Sequence, residues 1–250
     1  MVNNQYPMRY FITLSYDGTR YHGWQIQPNG DSIQQRLQDA LSTILRQPIE
    51  VVGAGRTDTG VHAKMMVAHF DVLPLMGELE GVCYKLNKLL PPDIAVQEVC
   101  QVADDMHARF SATSRTYHYF IHTYKDPFLT AYSWQVPYKL DFGMMNEAAK
   151  VLLEYKDFTS FSKVGTDVKT NLCDIKEAYW EEIAKGQWRF TITANRFLRN
   201  MVRAIVGTLV EVGRGRISIE KVRCIIEAKD RCQAGESVPA KGLFLASIKY

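Results

Sequence analysis

Two hydrophobic periods alternate along this chain, and the same order of alternation occurs twice. Residues 9–16 place Tyr10, Ile12, Leu14 and Tyr16 on one side, the two-residue repeat of a strand. From Ile33 the spacing turns helical through Leu37, Ala40, Leu41, Ile44 and Leu45, and Ser32 with Gln35 has the form of a capping box. Apolar runs at 49–52 and 65–72 bracket a glycine-rich turn and read as paired strands. Leu79, Val82, Cys83, Leu86, Leu89 and Leu90 mark a second helix, stopped by Pro91 and Pro92, and 94–102 is strand-like again. The order is βαββαβ, the split βαβ arrangement.

The second half repeats it without evident sequence similarity. Strand patterns at 115–124, about 172–183, 187–194 and 243–249 alternate with helical ones. Those cover Met145 to Leu153, about 196–212, and 218–228, the last an addition to the pattern. The expected fold is therefore α+β, with two ferredoxin-like halves and mainly antiparallel sheets flanking a cleft. The expected domains are 1–106 and 107–250. Segments 126–140 and 159–170 read as loops able to close over a ligand.

With 250 residues and 46% apolar content the chain can fill a sizeable core. The net charge of +3 is too small to argue for nucleic acid by itself, but its distribution is uneven. Between 196 and 216, five arginines (196, 199, 203, 214 and 216) face the single acid Glu211, and 107–125 holds no acid at all. Two such basic stretches suit a phosphate-tracking surface. Neither a signal peptide nor a membrane-spanning run is evident, so a cytoplasmic location is expected. Five cysteines without a C-x-x-C pair read as reduced thiols. His118 and His122 share a strand face but have no third ligand nearby, and no metal is expected.

The chemistry concentrates in residues 53–62, G-A-G-R-T-D-T-G-V-H, where three glycines permit positive φ or a close approach around one carboxylate, Asp58. An aspartate is ionised at neutral pH, hence a poor general acid, but it becomes a competent nucleophile or base when desolvated and held by a cation. Arg56 is near in sequence. Arg199 and Arg203 lie four apart, on one face of the expected helix, and one of them is positioned to reach a cleft. The R-T-Y-H-Y-F stretch, 115–120, offers aromatic rings next to basic residues, as RNA-stacking sheets do, although alternation also allows Tyr117 and Tyr119 simply to pack.

Two other readings fit Asp58 less well. Asp58-Thr59-Gly60 is the triplet of aspartic proteases, but these need a second triplet or a short all-β dimer, and the chain has one triplet and strong helices. In a non-enzymatic RNA-binding module with the loop as a phosphate nest, a carboxylate at the tip would repel the ligand.

G-A-G-R-T-D-T-G-V-H-A resembles the signature of the tRNA pseudouridine synthase A family, and the resemblance spans nearly the whole chain. It includes Y-D-G-T-R-Y-H-G-W-Q (16–25), H-A-R-F-S-A-T-S-R-T-Y (107–117), D-F-T-S-F (157–161), F-L-R-N-M-V-R (197–203), A-K-D-R (228–231) and G-L-F-L (242–245). Thr59 departs from the alanine common there. The resemblance implies an isomerase that converts uridine to pseudouridine at positions 38, 39 and 40 of the tRNA anticodon arm, without metal or organic cofactor. It makes Asp58 the nucleophile, attacking either the uracil ring or the ribose C1′. Tyr117 matches the active-site tyrosine, Leu243 the apolar wall, and Arg199 or Arg203 the cation that keeps Asp58 ionised. Arg56 and Arg115 are expected to bind the RNA. A homodimer, with one tRNA touching both subunits, is implied as well.

Overall fold

The computed structural model describes residues 7–28, 30–72, 79–163, 165 and 169–250. The first six residues, part of the loop expected at 159–170, and the side chain of Leu79 lie outside the described set. The fold is mixed α+β with mostly antiparallel strand pairing, and the chain divides into two compact units. One comprises residues up to Thr113 together with Ser247–Tyr250, the other Ser114–Ala246.

In the first unit, β1 (Met8–Tyr16) buries Tyr10, Ile12, Leu14 and Tyr16 as its alternation requires. Helix α1 (Ile33–Leu45) turns Ile33, Leu37, Ala40 and Leu41 inward. Ser32 caps it by accepting from the Gln35 amide, 3.2 Å, but the Gln35 side chain donates to Asp39, so half of the capping box forms. Next come β2 (Val52–Gly53), β3 (His62–Val72), α2 (Leu79–Leu89) and β4 (Ile94–Gln101). The strands lie in the order β4-β1-β3-β2, each neighbour antiparallel.

The second unit holds β5 (Ser114–His122), β6 (Trp134–Gln135), α3 (Phe142–Val151), β7 (Ile175–Ala184), β8 (Gln187–Ala194), α4 (Met201–Gly213) and α5 (Ile219–Ala228). Strand β9 (Leu243–Lys249) begins there, and the order is β9-β5-β8-β7. Both units thus place their strands in the same relative order. Segment 126–140 is more structured than a loop: Asp126 caps a turn by accepting from the Phe128 amide, and β6 then runs parallel to β5.

One boundary differs in a way that bears on function. The helix expected from about 196 begins at Met201: Asn200 takes a left-handed conformation, φ 66°, and Arg199 and Asn200 lie in a separate turn closed by the Met201 amide on Leu198 O at 3.1 Å. Arg199 therefore precedes the helix, and Arg199 and Arg203 do not share a helical face.

Candidate active site

Asp58 sits half-buried in the connection between β2 and β3. The connection is stitched to β3 where the Ala54 amide donates to Val67 O at 2.8 Å, and it closes with a turn in which the Val61 amide donates to Asp58 O at 3.1 Å. Of the glycines in this stretch, Gly60 alone has positive φ, 75°. Gly53 is small for another reason: a Cβ there would lie 2.5 Å from the Trp24 indole, while Gly55 faces open space. Of the freedoms the three glycines allow, positive φ is used at Gly60, and Gly53 makes room for the Trp24 indole of the same chain.

The residues that hold this loop come from the 16–25 motif, to which the sequence assigned no role. Tyr16 Oη and Thr57 Oγ1, both on buried residues, are 2.8 Å apart and bonded to each other immediately before Asp58. The Trp24 amide donates to Thr57 O at 3.2 Å. Gly23, at φ 89°, lets the chain pass close: a Cβ there would be 2.3 Å from Thr57 O. On the far side the Gly60 amide donates to Tyr21 O, and the Tyr21 hydroxyl donates to Asp93 Oδ1 at 2.7 Å. Arg20 pairs with the other oxygen of that carboxylate. Burial and the bond to Asp93 push the Tyr21 hydroxyl pKa up, which keeps it a donor across the working pH range. The backbone on both sides of Asp58 is thus fixed by groups distant in sequence, while Arg56 is exposed.

In the second unit Tyr117 stands on β5 opposite Ile192, half-buried, with its ring edge-on to Phe197 at 5.1 Å. Two residues on, Tyr119 is fully buried and its hydroxyl donates to Pro239 O at 2.9 Å, so of the two tyrosines it is Tyr119 that serves the core. Arg115 donates to Asn195 O at 2.7 Å, anchoring the start of the segment that carries Phe197 and Arg199. Arg199 is exposed, and its carbonyl accepts from the Lys163 amide at 3.1 Å. Arg203 uses its Nε to hold Val238 O at 2.7 Å. Leu243 is buried at the start of β9.

Several of the motifs quoted above meet here although they are far apart in sequence. Lys229 of A-K-D-R pairs with Asp157 of D-F-T-S-F at 2.9 Å, and Ser160 of that motif donates to Ile225 O at 2.6 Å. Arg231 donates to Gly235 O at 3.1 Å and to Ser237 Oγ at 3.0 Å; Asn200 also donates to Ser237. Residues 234–239 are bound down on α4 as well, the Gly235 amide donating to Thr208 Oγ1 at 2.9 Å and the Val238 amide to Arg203 O at 3.3 Å. The basic stretch is less free than its composition suggests, since Glu211 bonds both Arg214 and Arg216, and Arg214 lies 4.1 Å over the Tyr138 ring. Among the described residues no group of three or more acidic, histidine or cysteine side chains is arranged to hold a metal ion. No helix among them is long and apolar enough to cross a membrane.

The family model described as tRNA pseudouridine synthase matches residues 12–111 and 148–250, and so spans parts of both units. The chain is 59% identical over 242 residues to the tRNA pseudouridine synthase A of Bacteroides fragilis, covering 97% of this chain and 96% of that protein. It is 59% identical over 245 residues to the protein of that name in Bacteroides thetaiotaomicron, covering 97% and 90%. Identity to the Bacillus subtilis tRNA pseudouridine synthase A is 44% over 248 residues, covering 97% and 99%. Matched in this way through the Asp58 loop and through most of the second unit, the chain belongs to the tRNA pseudouridine synthase family of isomerases.

Proposed function

We propose that this enzyme isomerises uridine to pseudouridine at positions 38, 39 and 40 in the anticodon arm of tRNA, with Asp58 as nucleophile and no cofactor. The observation that carries the reading is the fixed backbone around Asp58: the loop that carries this carboxylate is clamped on both sides by Tyr16, Trp24 and Tyr21. Such preorganisation serves a covalent step, in which misplacing the attacking atom by about 1 Å can cost on the order of a hundredfold in rate. Asp58 attacks the uracil ring or the ribose C1′, the glycosidic bond breaks and the base rotates; C5 then bonds to C1′, the bond to Asp58 breaks and frees the carboxylate, C5 gives up its proton and N1 takes one up.

The half-buried Tyr117 stacks on the flipped uracil and assists that proton loss. Leu243 supplies the apolar wall, and Arg199 or Arg203 keeps Asp58 ionised. Arg56 and Arg115 contact the RNA. In this reading residues 1–106 form the half carrying Asp58, and 107–250 the half carrying the tyrosine, arginines and leucine. Both halves are ferredoxin-like, a reading supported by their shared strand order. The working form is a cytoplasmic homodimer, with one tRNA touching both subunits.

Asp58→Asn keeps the shape of the side chain and removes the nucleophile. It should cut pseudouridine formation by on the order of a thousandfold or more while leaving tRNA affinity and thermal stability close to those of the parent. Mapping pseudouridine in tRNA treated with each protein decides the matter, and activity within tenfold of the parent would refute the nucleophile.

A further inference from the structure

Among the described residues of the first unit, the most exposed large apolar side chain is that of Phe110, at 75%. A phenylalanine this exposed is unremarkable on a mobile loop, but Phe110 stands on a built turn. The Ser111 amide donates to His107 O and the His107 amide to Ser111 Oγ, each at 2.9 Å. The amides of Arg109 and Phe110 both point at His107 Nδ1, at 3.1 and 3.3 Å. Beneath, the Ala108 amide donates to His69 Nδ1 at 3.2 Å, and the Tyr250 hydroxyl donates to Ala108 O at 2.7 Å. The Phe110 ring rests on the His107 ring at 4.4 Å, and the His107 ring meets that of His69 edge-on at 4.6 Å. The Arg109 guanidinium lies 5.6 Å from the Phe110 centroid. A solvated aromatic ring has been oriented in advance, with a cation beside it.

We propose that Phe110 is a stacking platform for an unpaired nucleobase of the tRNA, separate from the uridine that reacts. The inference rests on the tRNA reading above. Charge argues for RNA: residues 107–113 carry Arg109 and no acid, and Asp71 is paired with Arg9. An aromatic ring beside a guanidinium is the arrangement on which bases stack irrespective of sequence. Position argues for a second nucleotide. His69, on which the turn is built, lies seven residues along β3 from His62, beside the Asp58 turn, and at about 3.3 Å per residue that is roughly 20 Å. One nucleotide cannot span that distance, so a base on Phe110 sets how the anticodon arm lies across the unit.

The test uses the full-length enzyme and an unmodified tRNA transcript, with affinity measured over a range of salt concentrations. Phe110→Leu should weaken binding by about tenfold, the loss expected of one base stack. The dependence of log affinity on log salt should stay parallel to that of the parent, because no phosphate contact is lost. Phe110→Trp should bind at least as well as the parent. In a series of transcripts each with one abasic nucleotide, a single position outside 38–40 should weaken the parent and leave Phe110→Leu unaffected. Parental affinity in Phe110→Leu would overturn the proposal. So would a shift of that variant from dimer to monomer at equal concentration, which would assign the ring to a second copy of the chain. If the parent neither binds nor modifies the transcript, the functional reading fails and the platform with it.

Discussion

Tyr117 and Tyr119 share a strand face, yet one is half-buried beside Phe197 and the other is sealed in the core with its hydroxyl on Pro239. Of the pair, only Tyr117 is partly open to solvent. Tyr117→Phe keeps the ring and loses the hydroxyl, so single-turnover isomerisation should slow while tRNA affinity barely changes. Equal rates would leave Tyr117 as a stacking surface only. His69 offers a second test at this scale. Burial, reinforced by Arg9 and His107, pushes its pKa down to about 4. Its Nδ1 must be unprotonated to accept from the Ala108 amide. Between about pH 6.5 and 4 the unfolded chain holds a proton that the folded one does not. Stability should therefore fall as pH drops through that window, by at most about 3 kcal/mol from this residue. Urea midpoints at pH 7 and pH 5 check this, and His69→Gln should narrow the gap between them.

Periodicity is enough to place the longer elements, because burying one face forces a period of two or of 3.6 residues, as Tyr10 to Tyr16 and Ile33 to Leu41 illustrate, whereas the strand expected at 49–52 is only Val52–Gly53. Breaks inside a periodic run were less legible. F-L-R-N-M-V-R reads as helix throughout, and nothing in its apolar spacing marks Asn200 as the residue that turns left-handed and delays the start of α4. A two-residue strand such as β6 has no period to read. The restraints on Asp58 were also out of reach, since Gly53 is explained by Trp24 and Thr57 by Tyr16, pairs that only the tertiary fold brings together. On α4 the same kind of dependence gives a prediction. A Cβ at Gly207 would stand 1.9 Å from Glu236 O, a backbone atom that cannot step aside cheaply. Gly207→Ala should destabilise the protein by about 1–3 kcal/mol through overpacking, measurable as a lower denaturation midpoint. It should also loosen residues 234–239, which bear on Arg203 through Val238.

At the scale of the whole molecule the net charge is modest, and Glu211 partly neutralises Arg214 and Arg216, so these two are only partly available to phosphate. Each phosphate contact contributes about 0.7 to 0.9 to the slope of log affinity against log salt. Arg216→Ala, at a half-exposed side chain, should flatten that slope by at most about one unit and leave single-turnover rates unchanged. If Arg203→Ala behaves in the same way, Arg203 is an RNA contact and the proposed role of keeping Asp58 ionised passes to Arg199.

The clamp on the Asp58 loop also bears on how the protein acquires activity. Its fasteners come from Tyr16, Tyr21 and Trp24, and from Asp93 beyond the second helix, so the loop cannot take its final form while the intervening chain is unfolded. Contacts so separated in sequence form late and together, after the entropy of closing long loops has been met. During refolding from denaturant, helical signal should return first, and catalysis only with the slowest cooperative phase. The amides of Trp24, Gly60 and Val61 should exchange with solvent deuterium at the rate of whole-unit opening, and none should open ahead of the strands that flank it.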